Sequence, residues 1–201
     1  RVGAMLQHEV GTHLLTYYNG AAQPLRLLKV GLAGYDGLQE GLAVLSEYLV
    51  GGLSRSRMRT LAARVVATDQ MVRGNSLPEV FRSLTEQHGF EPRAAYTIAL
   101  RVYRAGGLTK DAIYLRGLVE ILEYLRGDGE LEPLFVGKLA VDHIPVIREL
   151  LLRGVLRPPL PGLPGAVPGL PGGRGSSLPG GDAAPLSRAQ AGPSPAASWP
   201  A

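Results

Sequence analysis

Residues 2–18, VGAMLQHEVGTHLLTYY, decide how the chain is read. The run has no proline, and its apolar residues recur at helical spacing. It predicts one helix that stops at Asn19-Gly20. The stretch that follows is broken by Pro24, Gly31, Gly34 and Gly37, with room for a short hairpin between Leu25 and Leu32. A second helix is expected from Leu38 to Gly51-Gly52, and a third from Ser54 to Arg73 with Ser54 as its N-cap. Ser76-Leu77-Pro78-Glu79 has the order of a capping box with an early proline and opens a helix ending at Gly89. Another runs from Pro92 to Ala105 and is stopped by Gly106-Gly107. Thr109 caps a helix reaching Arg126, with Asp111 near its positive end. A last pair spans Leu134 to Val141 and Pro145 to Arg153. Alternating strand patterns are scarce, so the expected fold class is mainly α, one compact helical domain over residues 1–157.

From Arg157 onward the composition changes. Residues 158–201 hold most of the chain's 16 prolines and are rich in Gly, Ala and Ser. Such a segment cannot support a packed core, and it is expected to be a disordered tail. Its glycines do not recur every third residue, against a collagen helix. The whole chain has 201 residues, 45% of them hydrophobic and 19% charged, enough for one core. The net charge of +4 comes from scattered Arg and Lys, which reads as a solvated surface with no nucleic-acid footprint. No apolar run has the length of a membrane span. The N-terminus has no leader-like segment, and a cytoplasmic setting is expected. The chain lacks an initiator Met and starts within a helical pattern, as expected of a piece of a longer protein.

The chemistry-bearing segment is His8-Glu9-Val10-Gly11-Thr12-His13. Zinc peptidases carry H-E-x-x-H, with histidines four apart on one helical face. Here the histidines are five apart. In a regular α-helix a spacing of four leaves side chains about 40° apart, and five leaves them about 140° apart. Both rings can meet one ion only where the helix widens toward a π-type turn, and Gly11 lies where it would ease that distortion. The chain has no cysteine, which excludes a thiolate site and leaves His and carboxylate as ligand types. A peptidase site also needs a third protein ligand. Glu40, in Leu38-Gln39-Glu40-Gly41-Leu42-Ala43 at the start of the second helix, is the first candidate, and Glu47, about two turns on, is the other.

Taken together, His8-Glu9-Val10-Gly11-Thr12-His13 and Gln39-Glu40-Gly41-Leu42-Ala43 resemble the QEGLA-motif proteins, a family that includes the microtubule-associated tyrosine carboxypeptidases. Gly34-Tyr35-Asp36, Thr109-Lys110-Asp111 with Tyr114-Leu115, and Gly137-Lys138 leading to His143 and Arg153-Gly154-Val155-Leu156 add to the resemblance, which covers residues 1–159. The five-residue histidine spacing is itself a trait of that family.

The resemblance implies a mostly helical metallopeptidase. Its Zn2+ would be held by His8, His13 and Glu40, with Glu9 as general base. Tyr114, Lys110 and His143 are candidates for the donor to a developing oxyanion. If the enzyme is a carboxypeptidase, a cation must meet the substrate's terminal carboxylate, and Arg104 and Arg116 are candidates. The expected partner is a peptide or protein C-terminus. Eukaryotic members remove the terminal tyrosine of α-tubulin. The Ala-, Gly-, Arg- and Leu-rich composition here resembles a high-GC bacterial coding bias, a setting without α-tubulin. The rival reading is a non-catalytic metal-binding regulatory or interaction domain, separated from a peptidase by metal content together with cleavage of peptides with varied C-termini.

Overall fold

The computed structural model describes residues 2–104 and 109–160. Helix α1 (Val2–His8) passes directly into a π-helical segment, Glu9–Leu14, and then into α2 (Leu15–Ala22). The chain does not turn at Asn19-Gly20 as the sequence predicts. Asn19 is buried, its Nδ2 donating to the Phe135 carbonyl at 2.8 Å. At Gly20 a Cβ would lie 2.3 Å from the Leu28 carbonyl oxygen. The dipeptide marks a close tertiary approach rather than a helix end. The expected hairpin between Leu25 and Leu32 is instead the short α3 (Leu27–Val30). Its segment is tied by Lys138 N donating to Leu28 O and Leu32 N donating to Lys138 O.

Helix α4 (Tyr35–Leu49) begins three residues before the predicted Leu38, behind Gly34 at φ 75°. Ser54 caps α5 (Arg55–Val72), accepting the Arg57 N–H at 3.1 Å. Ahead of α6 (Leu77–Arg82) the Glu79 carboxylate accepts both the N–H and the hydroxyl of Ser76. A second π-helical segment, Ser83–Gln87, carries that helix on, and the sequence reading has no expectation of it. Helix α7 (Pro92–Arg104) follows. A 3-10 turn, Thr109–Ala112, opens α8 (Ile113–Arg126). The helix expected over Leu134 to Val141 is absent. Two 3-10 turns, Glu132–Phe135 and Val141–His143, stand there, and α9 (Ile144–Leu152) completes the described chain. Between the two turns Gly137 packs against Leu28, where a Cβ would meet its carbonyl oxygen at 2.7 Å. There are no strands among the described residues, so the fold is mainly α.

Apolar side chains form two clusters. One joins Leu38, Leu42 and Leu45 of α4, Leu118 and Ile121 of α8, and Leu134, Leu139, Ile144 and Ile147. The other joins Ala63 and Ala67 of α5, Val80 and Leu84, and Ala95, Ile98 and Val102 of α7. Helix α5 serves both, because its Leu61 belongs to the first. The predicted tail, residues 158–201, lies outside the described residues from 161 onward. Arg157–Leu160 are tied to α2: Gln23 exchanges two bonds with the Arg157 backbone, and Leu160 N donates to Asn19 Oδ1 at 2.9 Å.

Candidate metal centre

The π-helical segment brings the two histidines together. The Leu15 N–H reaches the Val10 carbonyl, an i→i+5 closure, and the Thr12 hydroxyl bonds back to the Gln7 carbonyl at 3.2 Å. Five residues then make about one turn, so residues 8 and 13 share a face. Their ring centroids lie 5.1 Å apart at 78°. Gly11 is buried in this turn, and a Cβ there would strike the Gln7 side-chain amide at 2.3 Å.

Helix α4 supplies the third group. Gly41 packs on Gly117 of α8 so tightly that a Cβ at 41 would lie 2.3 Å from the Gly117 carbonyl carbon. A Cβ at 117 would lie 1.9 Å from the Gly37 carbonyl oxygen. Backbone-to-backbone approach on that side of α4 fixes its rotation and sends Glu40 toward α1. Glu40 Oε2 stands 3.7 Å from His8 Nε2 and 3.8 Å from His13 Nε2. One ligand atom from each of the three residues falls within 4.8 Å of the others.

This donor set fits a divalent ion. Ligand atoms about 2.0–2.1 Å from a tetrahedral Zn2+ are separated by roughly 3.4 Å, slightly less than the distances here. Glu40 Oε2 is buried and has no hydrogen-bond partner among the described residues. A carboxylate oxygen left so between two imidazoles lacks the partner that a buried charge requires. Side-chain exposures of 12% for His8, 27% for His13 and 14% for Glu40 leave one side open.

Each ring is oriented from behind. His8 Nδ1 bonds Glu47 Oε1 at 2.8 Å, and Arg57 grips both oxygens of Glu47, at 3.2 and 3.1 Å. Burial alone would raise the Glu47 carboxyl pKa, but the bonds from His8 and Arg57 together bring it below the ordinary value. An ionised Glu47 is placed to accept from His8 Nδ1–H, the tautomer that turns the Nε2 lone pair toward Glu40. His13 Nδ1 faces Gln39 Oε1 at 3.4 Å, and Thr16 donates to the same oxygen at 2.7 Å. Of the two carboxylates open as third ligand in the sequence, Glu40 meets the Nε2 side of His8 and Glu47 the Nδ1 side.

A cleft of about 550 Å³ opens beside His8, lined by Glu9, Glu47, Arg57 and Thr60. Glu9 is exposed within it. Tyr114 is half-buried at the start of α8. Burial, then the Glu40 charge, raises its pKa against the opposing pull of Arg101 and Arg64, so its phenol is a neutral donor. Lys110 and Arg104 lie on a neighbouring surface cleft with Arg101 and Asp111. Arg116 is exposed and paired with Glu120 at 2.8 Å. His143 Nδ1 accepts the Ala140 N–H at 3.0 Å, a local cap on the turn before α9. Sequence reasoning passed over Arg64, Arg101 and the pairing of Asp111. Asp111 is buried and holds Arg101 Nε at 2.7 Å, with Arg64 at 4.0 Å. The one signal for them was an acid in the Thr109-Lys110-Asp111 segment, since nothing local marks two arginines on other helices as its partners.

The human protein "Microtubule-associated tyrosine carboxypeptidase 1" is 30% identical over 131 residues, which is 60% of this chain and 27% of the relative. The match thus spans about a quarter of that relative's length. No solved structure matches the chain. The profile described as microtubule-associated tyrosine carboxypeptidase runs through residues 1–164, taking in the π-turn histidines, Glu40, Glu47 and the Asp111 cluster alike. On that match over most of its length, the chain belongs to the microtubule-associated tyrosine carboxypeptidase family.

Proposed function

We propose that the chain is a zinc-dependent carboxypeptidase that hydrolyses the last peptide bond of a peptide or protein. The observation that carries this reading is Glu40 Oε2, buried, unpartnered among the described residues, and nearly equidistant from two imidazole nitrogens. His8, His13 and Glu40 would hold the ion. When bound it supplies Lewis acidity and makes water acidic enough to react near neutral pH. The chain's own groups do the rest. Glu9 takes a proton from the attacking water and returns it to the departing amine nitrogen as the C–N bond breaks, so that acid and amine are released. Tyr114 donates its phenolic proton as a hydrogen bond to the carbonyl oxygen as negative charge develops there. A terminal tyrosine, the residue in the human relative's name, is the first side chain to test.

The test pairs two variants on peptides with varied C-termini. Glu40→Ala should lose stoichiometric zinc by elemental analysis. Glu9→Gln should keep zinc and lose turnover by roughly 100-fold or more. Zinc retained without Glu40, or hydrolysis undiminished without the Glu9 carboxylate, would remove that residue from the proposed site.

A further inference from the structure

Beside the three ligand residues lies a charge imbalance that they do not explain. Arg64 projects from α5 with its side chain 14% exposed. Its nearest anion is Asp111, 4.0 Å away, but that carboxylate already accepts Arg101 Nε at 2.7 Å. Two guanidiniums therefore share one carboxylate. Arg64 Nε is buried and has no hydrogen-bond partner among the described residues. A guanidinium held so is costly unless an anion completes it, and its planar fork matches a carboxylate with two parallel bonds.

The surroundings tie this cation to the proposed zinc site. The Arg64 guanidinium lies 5.7 Å from the centre of the Tyr114 ring, and Tyr114 in turn feels the Glu40 charge. Arg64 and Arg101 line a cleft of about 490 Å³ together with Thr60 and Thr97. Thr60 also lines the cleft that holds His8 and Glu9, so the two clefts meet at that residue. Thr60 and Arg64 are four apart on α5 and share a face. On the same helix Arg57 is engaged by Glu47, whereas Arg64 keeps a buried Nε with no partner among the described residues.

We infer that Arg64, with Arg101 beside it, is the anchor for the α-carboxylate of the substrate's last residue. The inference rests on the peptidase reading for its meaning, but its test does not need turnover. One residue separates the terminal carboxylate from the scissile carbonyl, so a cation one residue's reach from the reacting groups selects chains that end there, and the Tyr114 ring and Thr60 link Arg64 to that side. An internal peptide segment has a neutral amide where the terminal α-carboxylate would stand, and offers Arg64 no carboxylate there.

The probes are acetyl-Gly-Gly-Tyr as the free acid and as the C-terminal amide, titrated by calorimetry into the full chain with and without zinc. The acid should bind roughly 10- to 100-fold more tightly than the amide, as expected for a charge-assisted bidentate pair. Arg64→Met, which keeps the stem and removes the charge, should lower acid affinity to that of the amide and leave amide affinity unchanged. Arg64→Lys keeps charge without the fork and should lose about 10-fold for the acid. It carries the test if circular dichroism shows that the methionine variant does not fold. Equal binding of acid and amide, no measurable binding of either, or full acid preference in either folded variant would overturn the anchor. Selective binding of the acid without hydrolysis keeps the anchor and loses the peptidase. Hydrolysis without any acid preference keeps the peptidase and loses the anchor.

Discussion

Glu47 decides how His8 is presented. It bonds His8 Nδ1 and is gripped on both oxygens by Arg57. Carboxylates behind metal-binding histidines fix the tautomer and raise ligand basicity, and losing them typically costs 10–100-fold in metal affinity. Glu47→Gln should weaken zinc binding by about that factor in competition with a chelating dye; wild-type affinity would show that His8 needs no such support. The same clamp has a pH signature. Burial raises the Glu47 pKa, the bonds from His8 and Arg57 outweigh it, and the folded value lies below the ordinary one. Its contribution to stability is therefore fully present above the unfolded carboxyl value of about 4.3 and is lost as pH falls through the folded value. In zinc-free protein, the gap in melting temperature between wild type and Glu47→Gln should be widest near neutrality and close toward pH 3.

At the scale of elements, two devices bring His8, His13 and Glu40 together. The π-helical segment Glu9–Leu14 aligns histidines that a regular helix would point apart. The glycine contact between α4 and α8 sets the rotation of the helix that carries Glu40. Gly37, Gly41 and Gly117 let the two backbones touch, where a Cβ at 117 would sit 1.9 Å from a carbonyl oxygen. A methyl group there cannot be absorbed by a flexible side chain, so the helices must separate. Gly117→Ala should cost about 1–3 kcal/mol of stability in denaturant titration. It should also weaken zinc binding, because Glu40 moves with α4. Lost stability with unchanged zinc affinity would separate the helix contact from the proposed metal centre.

Across the whole molecule, the C-terminal part of the described chain closes onto the helix that bears the histidines. Gln23 is buried and satisfies both the N–H and the carbonyl of Arg157, while Asn19 bonds Phe135 and Leu160. Gln23→Ala leaves two backbone groups without partners and should destabilise the protein by about 1–3 kcal/mol, read as a lower denaturant midpoint at unchanged slope. A change below 0.5 kcal/mol, as for an ordinary surface site, would mean that water replaces the amide.

Much of this architecture is local in origin and was legible in the chain. Apolar period, the caps at Ser54 and Ser76, and glycine or proline punctuation gave most of the helices. The five-residue interval between His8 and His13 implied a widened turn, because a helix has one period and the interval does not fit it. Where local signals misled, a distant segment was responsible: Asn19-Gly20 reads as a stop but is a seat for Leu28 and Phe135. Which carboxylate faces the imidazole Nε2 atoms, Glu40 or Glu47, depends on the rotation of α4 against α8. Which arginine keeps an N–H unpaired among the described residues depends on α5, α7 and the Asp111 turn meeting. Those choices belong to tertiary structure, since a ligand set is a matter of angles between helices and spacing along one helix does not contain them.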